Sequence, residues 1–453
     1  MVEKFGNSAR FVLQKLNENG FEAYFIGGSV RDALMGLPLG DIDITTSAEP
    51  REVEKIFSDF RVIETGIKHG TVTVIVEGTP VEITTFRCES GYSDNRHPDK
   101  VEFSKTFTDD VFRRDFTMNG IGLSIDGKLY DEVGGTEDIK NGVIRAIGDP
   151  AERFKEDALR ILRAVRFSSV LGFTVEDSTK KAIHEQKELL KNISAERIRA
   201  ELLKLICGKN AESVMLEYAD VIGVCIPELQ AEMGFLQHNR HHIFDVYTHS
   251  VKAMVSSKQN PLMRMALLLH DLGKPETAKY DENGEMHFKN HPEKSAEISE
   301  RVLSNLRFSN DEKDRILTFV RFHGIKLLKK GEDGKPEYDE QKIKYALSIF
   351  GIERLLEIIE VKRCDNTAKS PEYFLGNEFF EGMKSFAREI YEQGDCWSVS
   401  DLKIGGNDLS DLGIEGREIG ETLKTMLRKV LDGELTNTRE NLINFAKQKR
   451  AVK

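Results

Sequence analysis

Ala23-Tyr24-Phe25-Ile26-Gly27-Gly28-Ser29-Val30-Arg31-Asp32, followed nine residues later by Asp41-Ile42-Asp43, decides how this chain reads. The apolar run before the glycines is a buried strand by pattern, and Val30 to Met35 opens a helix. Glycines between a strand and a helix let backbone N–H groups approach an anion, and Arg31 adds a guanidinium. Asp41 and Asp43 alternate about Ile42, so on a strand both carboxylates leave the same face. Such a pair beside a phosphate site is what Mg2+ needs to drive phosphoryl transfer. Asp-x-Asp alone reads more often as a turn with solvated carboxylates; the glycine-arginine element before it reverses that preference.

At 453 residues the chain exceeds one ordinary core, and two to four domains are expected. No apolar run is long enough to cross a bilayer. Met-Val-Glu-Lys-Phe-Gly-Asn carries no signal-peptide core, so a cytoplasmic location is expected. Five cysteines (88, 207, 225, 364, 396) are scattered and never in CxxC spacing, which fits a reducing compartment with neither a disulfide framework nor a thiolate zinc site. A net charge of −11 argues against a coat for nucleic acid, though not against a locally basic groove. From Lys424 to Lys453 eight basic residues face three acidic ones, which fits either a solvated helix or a nucleic-acid contact.

Up to about Pro150 helices mix with short β-rich runs. Val72 to Val76 and Val81 to Phe86 form a hairpin by pattern around Glu-Gly-Thr-Pro, with Glu82 on its second strand. From Glu152 to about Cys207 the periodicity is helical, and a histidine-rich helical region follows from about Lys209 to Gly382. Its interruption from Lys329 to Asp339 is expected to be an exposed loop. A last helical piece runs from Ser398, with glycines 405, 406, 413, 416 and 420 shaping its turns.

Glu82 is the choice for a third metal-binding carboxylate, against the bland alternative of a solvent-facing strand residue. Arg113, Arg114, Asp115 and Asn119 offer donors and acceptors suited to a triphosphate and ribose, or else a structural ion-pair cluster. In Glu156 to Phe167, Asp157, Arg160, Arg163 and Arg166 make a helical stripe in steps of three. Three arginines on one stripe repel unless anions sit between them, so a polyphosphate is expected there. Asp157 and Arg160 also suit base selection. Cytosine and adenine both pair an exocyclic amino donor with a ring-nitrogen acceptor, which a carboxylate and a guanidinium complement; uracil and guanine do not. An ordinary i,i+3 ion pair is the alternative.

GGSVRD, DID, RRDFTMNG, EDALRILRAVRF and ISAERIRAEL, in this order, resemble the motif series of class II tRNA nucleotidyltransferases, the bacterial CCA-adding enzymes and the similar poly(A) polymerases. The resemblance is dense over about the first 210 residues and returns in GGNDLSDLGIEGREIGETLKTMLRKVLDGELTN near the end. It implies an α+β fold: a small N-terminal mixed β-sheet nucleotidyltransferase domain followed by a long, mainly α-helical body and tail. By that resemblance Gly28 and Arg31 would hold the triphosphate and Asp41 and Asp43 the catalytic Mg2+; the residue pattern itself adds Gly27 to the first group and Glu82 to the second. Arg114, Asp157, Arg160, Arg163 and Arg166 would contact CTP or ATP, with Asp115 and Asn119 added as nucleotide-binding candidates by their side-chain chemistry. The segment around Glu89 to Lys100 matches the flexible loop that CCA-adding members keep and CC-only relatives have lost. Gly120 and Gly122 stand where alanines are usual, and Ala158 replaces a common proline, which puts only local packing in doubt.

His249, the His270-Asp271 doublet, His291, His323 and Asp365 follow the order of an HD-type metal site, and this part resembles the HD phosphohydrolase superfamily. Imidazoles and carboxylates suit Mg, Mn, Ni or Fe without singling one out. Lys274 is placed to approach a phosphate; His238, His241 and His242 either support the ligands from behind or lie at the surface, mostly the latter. The expected domains are a head (1–150), a helical neck for nucleobase selection (151–208), a helical HD metal domain (209–382) and a helical, tRNA-binding tail (383–453). The leading expectation is template-independent CCA addition to tRNA from CTP and ATP. The rivals are a poly(A) polymerase or partial CC- or A-adder, an HD phosphohydrolase acting on cyclic or monoester phosphates of RNA ends, and a non-catalytic tRNA binder. The oligomeric state is not legible.

Overall fold

The computed structural model describes residues 1–64, 66–67, 70–90, 100–394 and 396–451. Most of the expected loop between Glu89 and Lys100 lies outside the described residues. Two compact units form, Met1–Gln230 with Ser304–Arg307, and Ala231–Leu303 with Phe308–Lys453.

The first unit runs α1 (Gly6–Glu18), β1 (Ala23–Ile26), α2 (Gly28–Leu34), β2 (Asp43–Thr46), α3 (Pro50–Ile56), β3 (Arg61–Ile63), β4 (Thr71–Val76), β5 (Thr79–Thr85), β6 (Arg87–Ser90), β7 (Lys100–Phe103), α4 (Phe107–Phe112), β8 (Gly122–Leu123), β9 (Leu129–Tyr130) and α5 (Gly135–Asn141). Seven strands make one sheet in the order β3-β4-β5-β2-β1-β8-β9. Within it β2 and β5 are parallel, while the other neighbours are antiparallel. All four β1 residues are buried, because both sheet faces are covered. Phe25 joins a core with Val12, Leu13 and Leu16 of α1; Tyr24 and Ile26 join another with Phe86, Phe107 and Val111. A strand buried on both faces loses the alternating pattern. The β4–β5 hairpin turns on Glu77 and Gly78, both at positive φ, as a two-residue hairpin loop matching strand twist requires.

The unusual glycines answer to packing. A Cβ on Gly122 would lie 2.7 Å from the Phe107 ring, and one on Gly120 would crowd Val133 and Val111 at 3.1 and 3.2 Å. The chain continues through β10 (Val143–Ile144), α6 (Pro150–Glu156), α7 (Leu159–Leu171), β11 (Thr174–Val175), α8 (Asp177–Gln186), α9 (Ala195–Ile206), α10 (Ala211–Glu217) and α11 (Ala219–Cys225).

The second unit comprises α12 (Val246–Ser256), α13 (Pro261–Leu269), α14 (Lys274–Thr277), β12 (Ala278–Tyr280), β13 (Met286–Phe288), α15 (His291–Asn305), α16 (Asn310–Phe322), β14 (Leu328–Lys330), β15 (Pro336–Tyr338), α17 (Glu340–Thr367), α18 (Asn377–Gln393), α19 (Gly406–Asp411), α20 (Arg417–Leu431) and α21 (Arg439–Ala451). The stretch from Lys329 to Asp339, expected as a loop, contributes most of an antiparallel hairpin that pairs Leu328 with Tyr338. Tyr338 is the missed signal: its ring packs on Phe379 and Phe386, and its hydroxyl donates to the Phe379 carbonyl at 2.7 Å. Gly406 and Gly420 lie inside helices, while Gly413 and Gly416 take the positive φ of turns. No described helix is long and apolar enough to cross a membrane.

Candidate active site and a second histidine cluster

Strand register builds the first site. On β1 and β2 Ile26 faces Asp43, and on the parallel pair β2 and β5 Asp43 faces Glu82. Gly27, directly after Ile26, has φ 77° and ψ −142°, a conformation that only glycine adopts without strain. A Cβ there would lie 3.6 Å from Asp43 Oδ2 and 3.8 Å from Arg114 Nη1. Glycine, a carboxylate and a guanidinium edge therefore surround one small space. Asp41 departs from expectation: it sits in an exposed bend before β2, not on the strand. The ligand oxygens of Asp41, Asp43 and Glu82 do not close to within 4.8 Å of one another. Burial raises the Asp43 carboxyl and Glu82 raises it further; Arg114 opposes and Asp41 adds, leaving it at about 6. Mutually repelling carboxylate oxygens are hard donors that fit Mg2+.

Arg31, Asn119, Asp115 and Arg163 form one hydrogen-bonded chain. Arg31 Nη1 donates to Asn119 Oδ1 at 2.8 Å, Asn119 Nδ2 to Asp115 Oδ1 at 3.1 Å, and Arg163 Nη2 to Asp115 Oδ2 at 2.7 Å. Burial would raise the Asp115 carboxyl, but Arg163 and Asn119 hold it far below the usual range. The sequence thus named residues that do meet.

The arginine stripe is corrected in two respects. Asp157 lies outside the helix, in extended backbone at the end of α6. Its carboxylate accepts from Leu159 N at 3.1 Å and from Arg197 Nη2 at 2.8 Å, so it pairs across helices and not with Arg160. The arginines, moreover, do not wait for a polyphosphate. Arg160 meets Glu156 at 2.8 Å and donates to the Arg113 carbonyl at 2.6 Å; Arg163 meets Asp115; Arg166 lies 2.6 Å from Glu201. The last is a Coulombic contact without an aligned hydrogen bond. Glu156, Arg197 and Glu201 all lie in motifs quoted above, but spacing gave no sign of whom they would meet.

In the second unit five helices bring the histidines together. His249 and Asp365 lie within α12 and α17, His291 opens α15, and His270 and His323 close α13 and α16. Each imidazole places Nδ1 on a backbone carbonyl: His249 on Ala368 (3.2 Å), and His270, His291 and His323 on Leu267, Phe288 and Val320 (2.7 Å each). In the last three that carbonyl lies three residues earlier, and for His270 and His323 it is one a helix end leaves unpaired. The Nε2 atoms converge on Asp271 and Asp365. His249 Nε2 lies 3.0 Å from Asp365 Oδ1, His270 Nε2 3.1 Å from Asp271 Oδ2, and His291 Nε2 3.4 Å from Asp271 Oδ1.

His270 Nε2 and both Asp271 oxygens are buried without an aligned hydrogen bond. Orphaned donors and acceptors facing one point, with the opposite nitrogens pinned, are the arrangement of metal-binding histidines. Burial lowers His249, His291 and His323, the last to about 3, keeping them in the neutral ligating form. Burial also opposes charge on His270, but Asp271 and Asp365 outweigh it and push it up to about 10. One expectation fails here. Lys274 has its Nζ 2.7 Å from Asp271 Oδ2 and 2.8 Å from Gln237 Oε1, and it lines the cavity beside Asp271. His242 is part of the cluster: it is half-buried, its ring is 5.1 Å from that of His249, and burial with Lys274 lowers it to about 2. His238 is exposed, and His241 packs on Tyr373. A cavity of about 320 Å3 opens onto Asp271, Asp365, His291, His323, His242 and Lys362.

Comparisons with known proteins cover the chain. Residues 23–145 match the Poly A polymerase head domain, 172–233 the probable RNA and SrmB-binding site of polymerase A, and 290–446 the putative tRNA nucleotidyltransferase domain 2. The CCA-adding enzyme of Ligilactobacillus salivarius is 35% identical over 439 residues, 96% of this chain and 95% of that one. That of Lactobacillus helveticus is 49% identical over 227 residues, 50% of this chain and 56% of its own. The crystal structure of the Bacillus stearothermophilus CCA-adding enzyme in complex with CTP superposes with a TM-score of 0.72 at 28% identity, covering 98% of this chain and 97% of that one. The Thermotoga maritima CCA-adding enzyme complexed with tRNA shares the fold, with a TM-score of 0.59 at 20% identity over 97% and 94%. With that identity sustained along nearly the whole length of a curated relative, the chain belongs to the CCA-adding enzymes, the class II tRNA nucleotidyltransferases.

Proposed function

We propose that this chain builds and repairs the 3′ CCA end of tRNA, transferring CMP and AMP from CTP and ATP without a template and releasing pyrophosphate. Whole-length kinship to a CCA-adding enzyme carries the activity. The space shared by Gly27, Asp43 and Arg114 supplies its place. Mg2+ held by Asp41, Asp43 and Glu82 would supply activation of the tRNA 3′-hydroxyl and neutralisation of the triphosphate. The chain's own groups do the rest. Gly27 and Gly28 leave room for phosphate oxygens, Arg114 presents its free edge to them, and the chain from Arg31 to Arg163 fixes the sugar side. Asp157 and Arg160 select cytosine and adenine by their shared donor-acceptor edge, Arg197 and Glu156 holding them in place. Residues 151–208 serve as the selecting neck and 383–453 as a tRNA-binding tail, all in the cytoplasm.

The test uses tRNA transcripts ending before CCA, with one labelled NTP at a time. Addition of two C and then one A supports the proposal. Long A tails without CTP identify a poly(A) polymerase, and arrest after CC or a requirement for CC ends identifies a partial adder.

A second activity is favoured by the pinned imidazoles of residues 209–382. His249, His270, Asp271, His291, His323 and Asp365 would hold a second divalent ion (Mg, Mn, Ni or Fe), and the cavity over them would take a cyclic or monoester phosphate. Metal analysis of the purified chain and of His249→Ala checks the ligands. Hydrolysis lost in His270→Ala but kept in Asp41→Ala assigns the activity to this cluster.

A further inference from the structure

Asp110 was no candidate from sequence, yet it is fully buried and saturated with donors. Its Oδ1 accepts from Arg113 Nη2 and Nε at 2.6 and 2.8 Å. Its Oδ2 accepts from Arg114 Nη2 at 2.8 Å, from Arg114 Nε at 3.3 Å and from Thr45 Oγ1 at 3.0 Å. A carboxylate has about four acceptor positions, and all are used. Burying it costs several kcal/mol unless the partners are well placed, and here two guanidiniums are held where one would neutralise it.

The geometry gives that expense a purpose. Asp110 takes Arg114 by Nε and Nη2, so among the described residues Nη1 is left without a hydrogen bond. That free edge lies 3.8 Å from where a Gly27 Cβ would be, and Asp43 Oδ2 lies 3.6 Å from the same point. Thr45 follows Asp43 by two residues on β2, so the two side chains share a face of the strand. One carboxylate therefore ties together the strand bearing Asp43 and the guanidinium facing it. Two arginines on one carboxylate also leave an excess positive charge at the place where an anion would arrive.

We propose that Asp110 is a positioning residue for nucleotidyl transfer: anchored to β2 through Thr45, it grips Arg114 edge-on and aims the free edge at the triphosphate over Gly27. This rests on the assignment of Asp43 and Arg114 to the nucleotide site. The sequence holds no hint of it beyond the charge of Asp110, because Thr45 is 65 residues away.

Steady-state addition of CMP and AMP to tRNA lacking CCA, with thermal unfolding in parallel, tests it on Asp110→Asn, Thr45→Val, Thr45→Ser, Arg114→Lys and the Asp110→Asn/Arg114→Lys pair. Thr45→Val leaves both ion pairs in place. It should raise the nucleotide KM about three- to tenfold with kcat nearly kept, and Thr45→Ser should restore it. Asp110→Asn should lower kcat/KM about 100-fold, the scale of a misplaced binding group, and the double variant should lose little more than Arg114→Lys alone. A lower melting temperature with a parental KM in Thr45→Val, or losses that multiply in the double variant, would overturn the proposal. Should Arg114→Lys itself keep a parental KM, the assignment of the nucleotide site fails, and this inference falls with it. Should Asp110→Asn not fold, the Thr45 series alone decides.

Discussion

Removing one carboxylate from beneath the arginine stripe gives a quantitative test of who neutralises it. Glu201 is 6% exposed and lies 2.6 Å from Arg166 and 3.8 Å from Arg163. Breaking a buried pair by removing one partner costs about 3–5 kcal/mol. In Glu201→Gln, Arg163 keeps Asp115 at 2.7 Å, and Arg166 keeps its face-on contact with Phe167 at 3.7 Å. The loss is therefore expected at the lower end, about 3 kcal/mol, or about 6–12 °C in Tm for a unit of this size. Burial already disfavours the Arg166 charge and Glu201 supports it, while Arg163 works against it, so the variant has lost its main compensating group. A ligand bringing negative charge should replace part of what was removed. Calorimetry of the full chain with and without CTP is expected to show a larger ligand-induced shift in Glu201→Gln than in the parent, where saturation at 100 Kd gives about 2.7 kcal/mol. A Tm within 1–2 °C of the parent, about what 0.5 kcal/mol produces, would refute Glu201 as the counter-ion. An equal CTP shift in both chains would refute the placement of bound nucleotide near the stripe.

Three further outcomes are expected. Gly27→Ala forces a side chain into a glycine-only conformation at a cost of about 1–3 kcal/mol and fills the space between Asp43 and Arg114; kcat/KM for CTP should fall at least about tenfold, read in the single-nucleotide assay. In the second unit a Cβ on Gly273 would lie 2.6 Å from Ser295 N and 2.7 Å from His291 O. Gly273→Ala should therefore displace the start of α15 with His291 and lower the metal content of the purified protein, measured by elemental analysis. Asp110 fixes a pH effect and its sign. Burial would raise its carboxyl, but Arg114 and Arg113 hold it at about 2, below the ordinary 3.8. The stability it contributes is thus complete above about pH 4 and lost as pH falls toward 2. By denaturant unfolding, the gap between parent and Asp110→Asn should shrink by about 1 kcal/mol from pH 5 to pH 3, out of about 2 kcal/mol in all.

The sequence disclosed what depends on neighbours along the chain. A strand, two glycines and a helix gave the Gly27 turn, and the hairpin placed Glu82 on β5 facing Thr73, while the parallel β2–β5 register sets it opposite Asp43. The order of histidines and aspartates gave the second cluster, because each imidazole reaches a carbonyl near the end of a helix or strand and directs its other nitrogen outward. What stayed hidden were partners from afar. Asp115 reaches Arg163 across 48 residues, Arg197 reaches Asp157 across 40, and Thr45 reaches Asp110 across 65. Helical spacing names the face a side chain leaves, not the charge waiting opposite, so three arginines in a row looked short of anions when carboxylates already served them. His242 was misjudged likewise, since only tertiary packing turns it toward His249.

The carboxylates already on the stripe bear on how a nucleotide binds. If Arg160, Arg163 and Arg166 arrive already paired, a triphosphate gains from them only by displacing or sharing a carboxylate, an exchange that yields little net energy. Arg114 differs, because its Nε and Nη2 hold Asp110 while Nη1 remains available beside Gly27. On the proposed site the first firm anchor of the phosphates would be Arg114, and the stripe would act later, in orientation and base choice. Arg114→Lys should accordingly raise the KM for CTP and ATP alike, whereas Arg197→Met, which frees the Asp157 carboxylate, should leave KM for the correct nucleotides within about threefold and raise UTP and GTP incorporation instead. Equal losses of both kinds in both variants, measured by competition between labelled nucleotides, would show that binding and choice are not divided in this way.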